Sequence, residues 1–243
     1  MKAPARNGSN GRSSNEARLP ARNPRPQSEI DQNRSSVNLV FFGKLLHQRG
    51  YVSGTDGNLS VRVGPECVLV TPSGVSKRFM RSGDMVLVSL DGKKLAGSRE
   101  PSSEIGMHLK IYKLRPDITA VVHAHPCIST GFASAGIGLI EPVCSELVLT
   151  LGKVPLAPYA LPGSDELAKA LEPFIPDHNA ILMQNHGVVA YGETLERAYM
   201  NMETVEHCAR IILVTKLLGQ STILVDHEVK RLLHLTARQS EFQ

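Results

Sequence analysis

Residues 120–126 read AVVHAHP, a β-favouring run that carries His123 and His125 one residue apart and then stops at Pro126. In a strand, positions i and i+2 project from the same face of the sheet. Both imidazoles would therefore meet at one spot, and the surrounding segments have to be searched for what else reaches it.

Immediately upstream, SSEIGMHLKIYKL (residues 102–114) places Ile105, Leu109 and Tyr112 along one helical side, and RPD (115–117) ends it. Before that lie short β-rich runs broken by turns: NLSVRV (58–63), CVLVTPSG (67–74) and MVLVSLDGK (85–93). A first helix is expected from about residue 36, stopping at Arg49-Gly50. Downstream, the Gly-rich GFASAGIGL (131–139) leads into SELVLTLGKVPLAPYA (145–160), which reads as mixed strand and turn. SDELAKALEPFI (164–175) reads as a helix capped by Ser164. AILMQNHGVVAYG (180–192) reads as one strand bent at Asn185-His186-Gly187, and a long helix starts near Thr194. Helices mixed with short strands and no internal repeat indicate one α+β or α/β domain around a central sheet.

Composition narrows the functional classes. The chain has 243 residues, 42% hydrophobic and 21% charged, ordinary for a soluble globular protein. No apolar run approaches a membrane span and the N-terminus lacks a signal-peptide pattern, so a cytoplasmic protein with no membrane partner is expected. Four scattered cysteines without a CxxC pair argue against a disulfide framework or a cysteine-rich zinc knuckle. Residues 1–34 hold seven Lys/Arg against three acidic residues, and thus the whole net charge of +4. That segment is poor in large apolar residues and is expected to be a disordered basic tail, with the folded domain spanning 35–243. Such a tail could touch an acidic surface, but no nucleic-acid partner is assigned.

Most of the nine histidines fall where packing or exposure accounts for them. His123 and His125 suit a single ion with bonds of about 2.0–2.1 Å. His186 ends an apolar strand before Gly187, and with the pair it completes a facial three-histidine set with open positions. Glu104 opens a helix nearby as an acid/base candidate. Two rival ligand sets remain open, Glu104 with His108 and His-x-His extended to Cys127. Three small polar turns, GTDGNLS (54–60), TPSG (71–74) and Ser102-Ser103, offer backbone N–H groups and hydroxyls suited to a phosphate.

Taken together, GTDGNLSVR, TPSG, SSE, HAHP and QNHGVVAYG resemble, in order and spacing, the class II aldolase/adducin family. The resemblance runs from about residue 36 to about 230. It implies a three-layer αβα domain with a mainly antiparallel central sheet, and a homotetramer with active sites between subunits. It also implies that His123, His125 and His186 ligate zinc, with Glu104 ligating the resting metal and then acting as the proton-transfer base. Thr55, Gly57, Asn58, Ser73, Gly74, Ser102 and Ser103 would hold the phosphate of a small sugar substrate. The implied reaction is retro-aldol cleavage of a ketose 1-phosphate to dihydroxyacetone phosphate and an aldehyde. Manganese, iron or cobalt could serve the same ligands.

One departure stands out. Counting from HAH to LAPY puts Cys144 where fuculose-type aldolases carry a tyrosine; Tyr159 belongs to the APY turn, and the final HLTARQSEFQ has no tyrosine. Glu146 is the alternative proton donor in that segment. Other readings on the same scaffold are a methylthioribulose 1-phosphate dehydratase, a decarboxylase or a pentulose-phosphate 4-epimerase. A non-enzymatic adducin-like module is a further alternative.

Overall fold

Short β-branched runs separated by Gly, Pro and Asp turns pair edge to edge into one sheet. The computed structural model of the chain describes residues 27–240. The strands are β1 (Asn58–Gly64), β2 (Cys67–Val70), β3 (Val86–Ser89), β4 (Lys94–Ala96), β5 (Ala120–Ala124), β6 (Leu156–Ala157), β7 (Ala180–Met183) and β8 (Gly187–Gly192). Their order across the sheet is β4-β3-β2-β1-β5-β8-β7-β6, with every pairing antiparallel except β6 with β7. The helices are α1 (Gln27–Gln48), α2 (Ile105–Leu114), α3 (Cys127–Ser134), α4 (Ser145–Thr150), α5 (Asp165–Leu171), α6 (Leu195–Leu217) and α7 (Asp226–Ser240).

Side-chain alternation divides the core in two. Ala120, Val122 and Ala124 of β5 and Val188 and Ala190 of β8 face Leu39 and Leu46 of α1, Phe132 of α3, Leu147 of α4 and Met202 and Val205 of α6. Val121, Ile181, Val189 and Tyr191 face Met107, Ile111 and Tyr112 of α2 and Leu167 and Leu171 of α5. Helices on both faces of a mainly antiparallel sheet make the α/β, three-layer αβα architecture. β5 is buried along its whole length because it lies mid-sheet and covered on both sides.

Four local expectations differ from what the fold contains. Residues 180–192 form a hairpin, β7 and β8, rather than one bent strand, because Asn185 takes the left-handed region (φ 55°) and Met183 pairs with Gly187. The SELVLT stretch is helix α4, and α3 lies in a stretch that overlaps the Gly-rich segment; both are too short for periodicity to reveal. Ser164 occupies the N-cap position of α5, but its hydroxyl donates to Leu161 O at 2.6 Å instead of capping. Helix α1 begins at Gln27 and so runs through the 34/35 boundary. Leu39 and Leu46, both fully buried, anchor the helix, and once it is nucleated each residue before them adds a turn hydrogen bond. The expected tail, up to residue 26, lies outside the described residues.

Candidate metal centre

Asn58 of β1 and Val189 of β8 sit directly across from His123 of β5, so the centre of the sheet carries the first imidazole. His123 is fully buried, and its Nδ1 lies 2.9 Å from Val188 O. A carbonyl only accepts, so Nδ1 carries a proton and the ring turns Nε2 toward the cluster. His125 follows two residues on, on the same face, with Nε2 3.0 Å from His123 Nε2 and Nδ1 3.8 Å from Asp56 Oδ2. Burial, then the charge of His123, pushes His125 down to about 3, so it is neutral near pH 7. His186 arrives from the β7–β8 turn, its ring centroid 4.8 Å from that of His123 and 5.2 Å from that of His125. Gly187 makes this approach possible. A Cβ there would lie 2.5 Å from His125 Cδ2 and 2.7 Å from Ala124 O.

Glu104 caps the start of α2 and closes the group from the other side. Its Oε2 is 3.2 Å from His123 Nε2 and its Oε1 is 3.0 Å from His186 Nε2. Burial pushes this carboxyl up, but the charge and contacts of His123 and His186 outweigh it and hold the group well below the usual carboxylate range. Oε2 accepts from Asn58 Nδ2 at 2.8 Å, whereas Oε1 is buried with no hydrogen-bond partner among the described residues.

These residues fit a divalent ion. Two donors about 2.0–2.1 Å from one ion, at ordinary coordination angles, lie about 2.9–3.4 Å apart. The contacts of 3.0–3.2 Å among His123, His125, His186 and Glu104 fall in that interval. Imidazole nitrogens and a carboxylate directed at one point are the donor set that a shared divalent cation holds together. The ligand-bearing atoms of the three histidines all lie within 4.8 Å of one another. Neither rival ligand set forms. His108 is fully buried and hydrogen-bonds Asn58 and Ser60, and Cys127 is exposed at the start of α3.

The turns expected to hold phosphate are stitched together beside this cluster. Pro72 pairs with Pro101, and Ser73 N donates to Glu100 O at 3.0 Å, which joins the TPSG turn to the Ser102-Ser103 segment. Leu59 N donates to Thr71 Oγ1 at 3.1 Å, joining the same turn to β1. Gly57 (φ 69°) packs so closely under β5 that a Cβ would lie 2.8 Å from His123 O. Asn58 departs from expectation, since its side chain is engaged by Glu104 and His108. Sequence reading missed Lys77. It is 1% exposed, and its Nζ donates at 3.2 Å to the carbonyls of Thr55 and Val75 rather than to a carboxylate. Burial lowers its pKa to about 8 against the opposing charges of Asp56 and Glu104. A lysine three residues beyond an ordinary turn carries no signal of this in the sequence.

The groups considered for proton donation sit on other elements. Cys144 occupies the N-cap position of α4, and Glu146 lines a surface cavity of about 450 Å³ with Arg49, Tyr51, Glu203, His207 and Arg210. Tyr159 is exposed, and its backbone N–H donates to Gln184 Oε1 at 3.1 Å, beside the His186 turn.

With this geometry in place, comparison with known proteins is direct. The family described as class II aldolase and adducin N-terminal domain matches residues 37–213. The chain belongs to this family. A 5-deoxy-D-ribulose 1-phosphate aldolase of Bacillus thuringiensis serovar kurstaki is 36% identical over 196 residues, 80% of this chain and 91% of the relative. A 3-oxo-tetronate 4-phosphate decarboxylase of Pectobacterium atrosepticum is 34% identical over 187 residues, 75% of this chain and 85% of the relative. The structure of an L-fuculose 1-phosphate aldolase superposes with a TM-score of 0.78 at 32% identity, covering 83% of this chain and 95% of that one. Class II aldolase relatives of this kind are lyases acting on small sugar phosphates, which supports an enzyme over a non-enzymatic module. Among the described residues, no helix is long and apolar enough to cross a membrane.

Proposed function

We propose that the chain is a zinc-dependent, cytoplasmic class II aldolase that cleaves a short ketose 1-phosphate to dihydroxyacetone phosphate and an aldehyde. The observation that carries this reading is the buried Glu104 carboxylate set among three imidazoles, with Oε1 free of any hydrogen bond among the described residues. Held by His123, His125, His186 and Glu104, a divalent ion supplies Lewis acidity for the oxyanion that develops as the carbon–carbon bond breaks.

The remaining work falls to the chain's own residues. Thr55, Gly57, Ser73, Gly74, Ser102 and Ser103 hold the substrate phosphate through backbone N–H groups and hydroxyls. The Asn58 amide, committed to Glu104, borders the same cradle. Lys77 places a positive charge beneath those turns. Glu104 Oε1 returns a proton to the carbon that becomes the hydroxymethyl group of dihydroxyacetone phosphate, and removes it in the synthetic direction. In a homotetramer whose sites lie between subunits, Glu146 of a neighbouring copy serves as the proton donor.

The decarboxylase relative favours a second reading, loss of CO₂ from an oxo-acid sugar phosphate. Purified, metal-quantified protein should be offered 5-deoxy-D-ribulose 1-phosphate, L-fuculose 1-phosphate and 3-oxo-tetronate 4-phosphate. Release of dihydroxyacetone phosphate from either ketose 1-phosphate supports the aldolase. CO₂ from the third alone moves the assignment to decarboxylation, and inertness toward all three rejects both.

A further inference from the structure

A line of buried polar groups leads from Glu104 into the core, and the metal centre does not account for it. Asn58 Nδ2 donates to Glu104 Oε2 at 2.8 Å, and Asn58 Oδ1 lies 2.6 Å from His108 Nε2. His108 Nδ1 lies 2.7 Å from Ser60 Oγ, which lies 2.8 Å from Tyr112 Oη. Asn58, Ser60, His108 and Tyr112 are each no more than 3% exposed.

The fold explains the alignment. Glu104, His108 and Tyr112 recur every four residues along one side of α2, and Asn58 and Ser60 share one face of β1. Four helical residues advance about 6.0 Å and two strand residues about 6.6–6.8 Å, so the two rows stay nearly in step. Each helix group meets a strand group: Glu104 meets Asn58, His108 meets both Asn58 and Ser60, and Tyr112 meets Ser60.

The direction of the bonds from Glu104 to Ser60 follows from one charge. An ionised carboxylate accepts only, so Asn58 must present Nδ2 to Glu104 and Oδ1 to His108. His108 must then present Nε2–H to Asn58, and a neutral ring leaves Nδ1 to accept from the Ser60 hydroxyl. The Tyr112 hydroxyl, which also lies 3.5 Å from Thr119 O, completes the line at Ser60. Burial, followed by the nearby His123 charge, pushes His108 down to about 3, which keeps the ring neutral in this arrangement.

We propose that His108, Ser60 and Tyr112 are positioning residues that act through Asn58 to hold Oε2 of Glu104, leaving Oε1 as the oxygen that exchanges a proton with substrate. This rests on the proposed role of Glu104 as base. The line cannot reverse without turning a carbonyl oxygen toward the carboxylate, so the amide is locked and the carboxylate rotamer with it. Removing His108 would leave Asn58 free to flip and Glu104 held from one side fewer.

The test has two arms. In full-length protein labelled with ¹⁵N-histidine, the His108 ring should read as the neutral Nε2–H tautomer from pH 5 to 8; an Nδ1–H or doubly protonated ring overturns the proposal. The second arm follows exchange of the hydroxymethyl protons of dihydroxyacetone phosphate with solvent. His108→Leu should slow maximal exchange 10- to 100-fold, with the half-saturating concentration and bound metal within about twofold of wild type. His108→Gln, which keeps a donor for Asn58 Oδ1, should restore most of the rate. Exchange within threefold of wild type in His108→Leu, or metal lost in proportion to activity, overturns it. Should His108→Leu not fold, Tyr112→Phe removes only the far hydroxyl; a two- to fivefold slowing at unchanged metal content supports the proposal, and no slowing overturns it. Wild-type protein that fails to exchange refutes the aldolase reading and leaves the line to be judged by the ring tautomer.

Discussion

Glu104 and Lys77 are two charged side chains whose chemistry is altered by where the fold puts them. Glu104→Gln should retain most bound metal, since three imidazoles remain, yet lose proton exchange on dihydroxyacetone phosphate by at least 100-fold; near-wild-type exchange by NMR would remove it as base. Lys77 has a folded pKa lowered to about 8 from 10.5, so its buried charge destabilises the protein at pH below about 8. Between pH 8 and 10.5 the unfolded chain binds more protons than the folded one, and that penalty is relieved as pH rises. Lys77→Met should therefore raise Tm by a few degrees at pH 7 and by little at pH 10, as read by calorimetry. The same variant should bind inorganic phosphate at least tenfold more weakly, because the cation beneath the turns is gone. The histidine pair was legible in AVVHAHP because strand periodicity alone puts both rings on one side. Lys77 was not legible, since nothing local marks a lysine whose amine is drawn inward to the carbonyl of Thr55, 22 residues away.

Helix and strand junctions set the precision of the cluster. Helix α3 starts directly after His125-Pro126, and its first N–H groups are held by the α6 carboxylate of Glu206, which accepts from Ile128 N at 3.2 Å and from Ser129 N and Oγ at 2.9 Å each. Glu206 is 1% exposed. Glu206→Ala would strand these buried donors and should destabilise by about 2–4 kcal/mol, a fall in Tm of roughly 4–16 °C for a domain of this size. Gly187→Ala should displace the His125 ring and lower metal affinity at least tenfold in a competition titration, with a smaller loss of stability. The short helices α3 and α4 escaped sequence reading because each has too few turns to show a 3.6-residue period. Their helicity is enforced by packing and, for α3, by a cap supplied from 77 or more residues away. The long α6, by contrast, announced its start at Thr194, whose side chain accepts from Arg197 N at 3.0 Å.

The molecule as a whole presents one αβα sandwich with the cluster at the middle of the sheet, where β1, β5 and the β7–β8 turn come together. A proton donor supplied from α4 of a neighbouring copy makes the active unit larger than one chain. Sedimentation equilibrium should return the mass of four 26.4 kDa chains, and dilution to monomer should abolish turnover while leaving metal bound. A fully active monomer would exclude a donor from a neighbouring copy. Removing residues 1–26, which precede α1, should leave Tm and turnover within experimental error.

Patterns of period two and period four are local, and they are what the chain's order of residues decided unaided: a β-rich sheet flanked by helices, two histidines on one strand face, a third before a glycine, and a carboxylate opening a helix. Which of those groups meet is a matter of distances between segments far apart in the chain, and only tertiary packing determines that. Asn58 shows the difference. Its place in a small polar turn suggested phosphate, but the register of β1 against β5 and the rise of α2 along β1 bring its amide between Glu104 and His108, where a carboxylate leaves it one orientation.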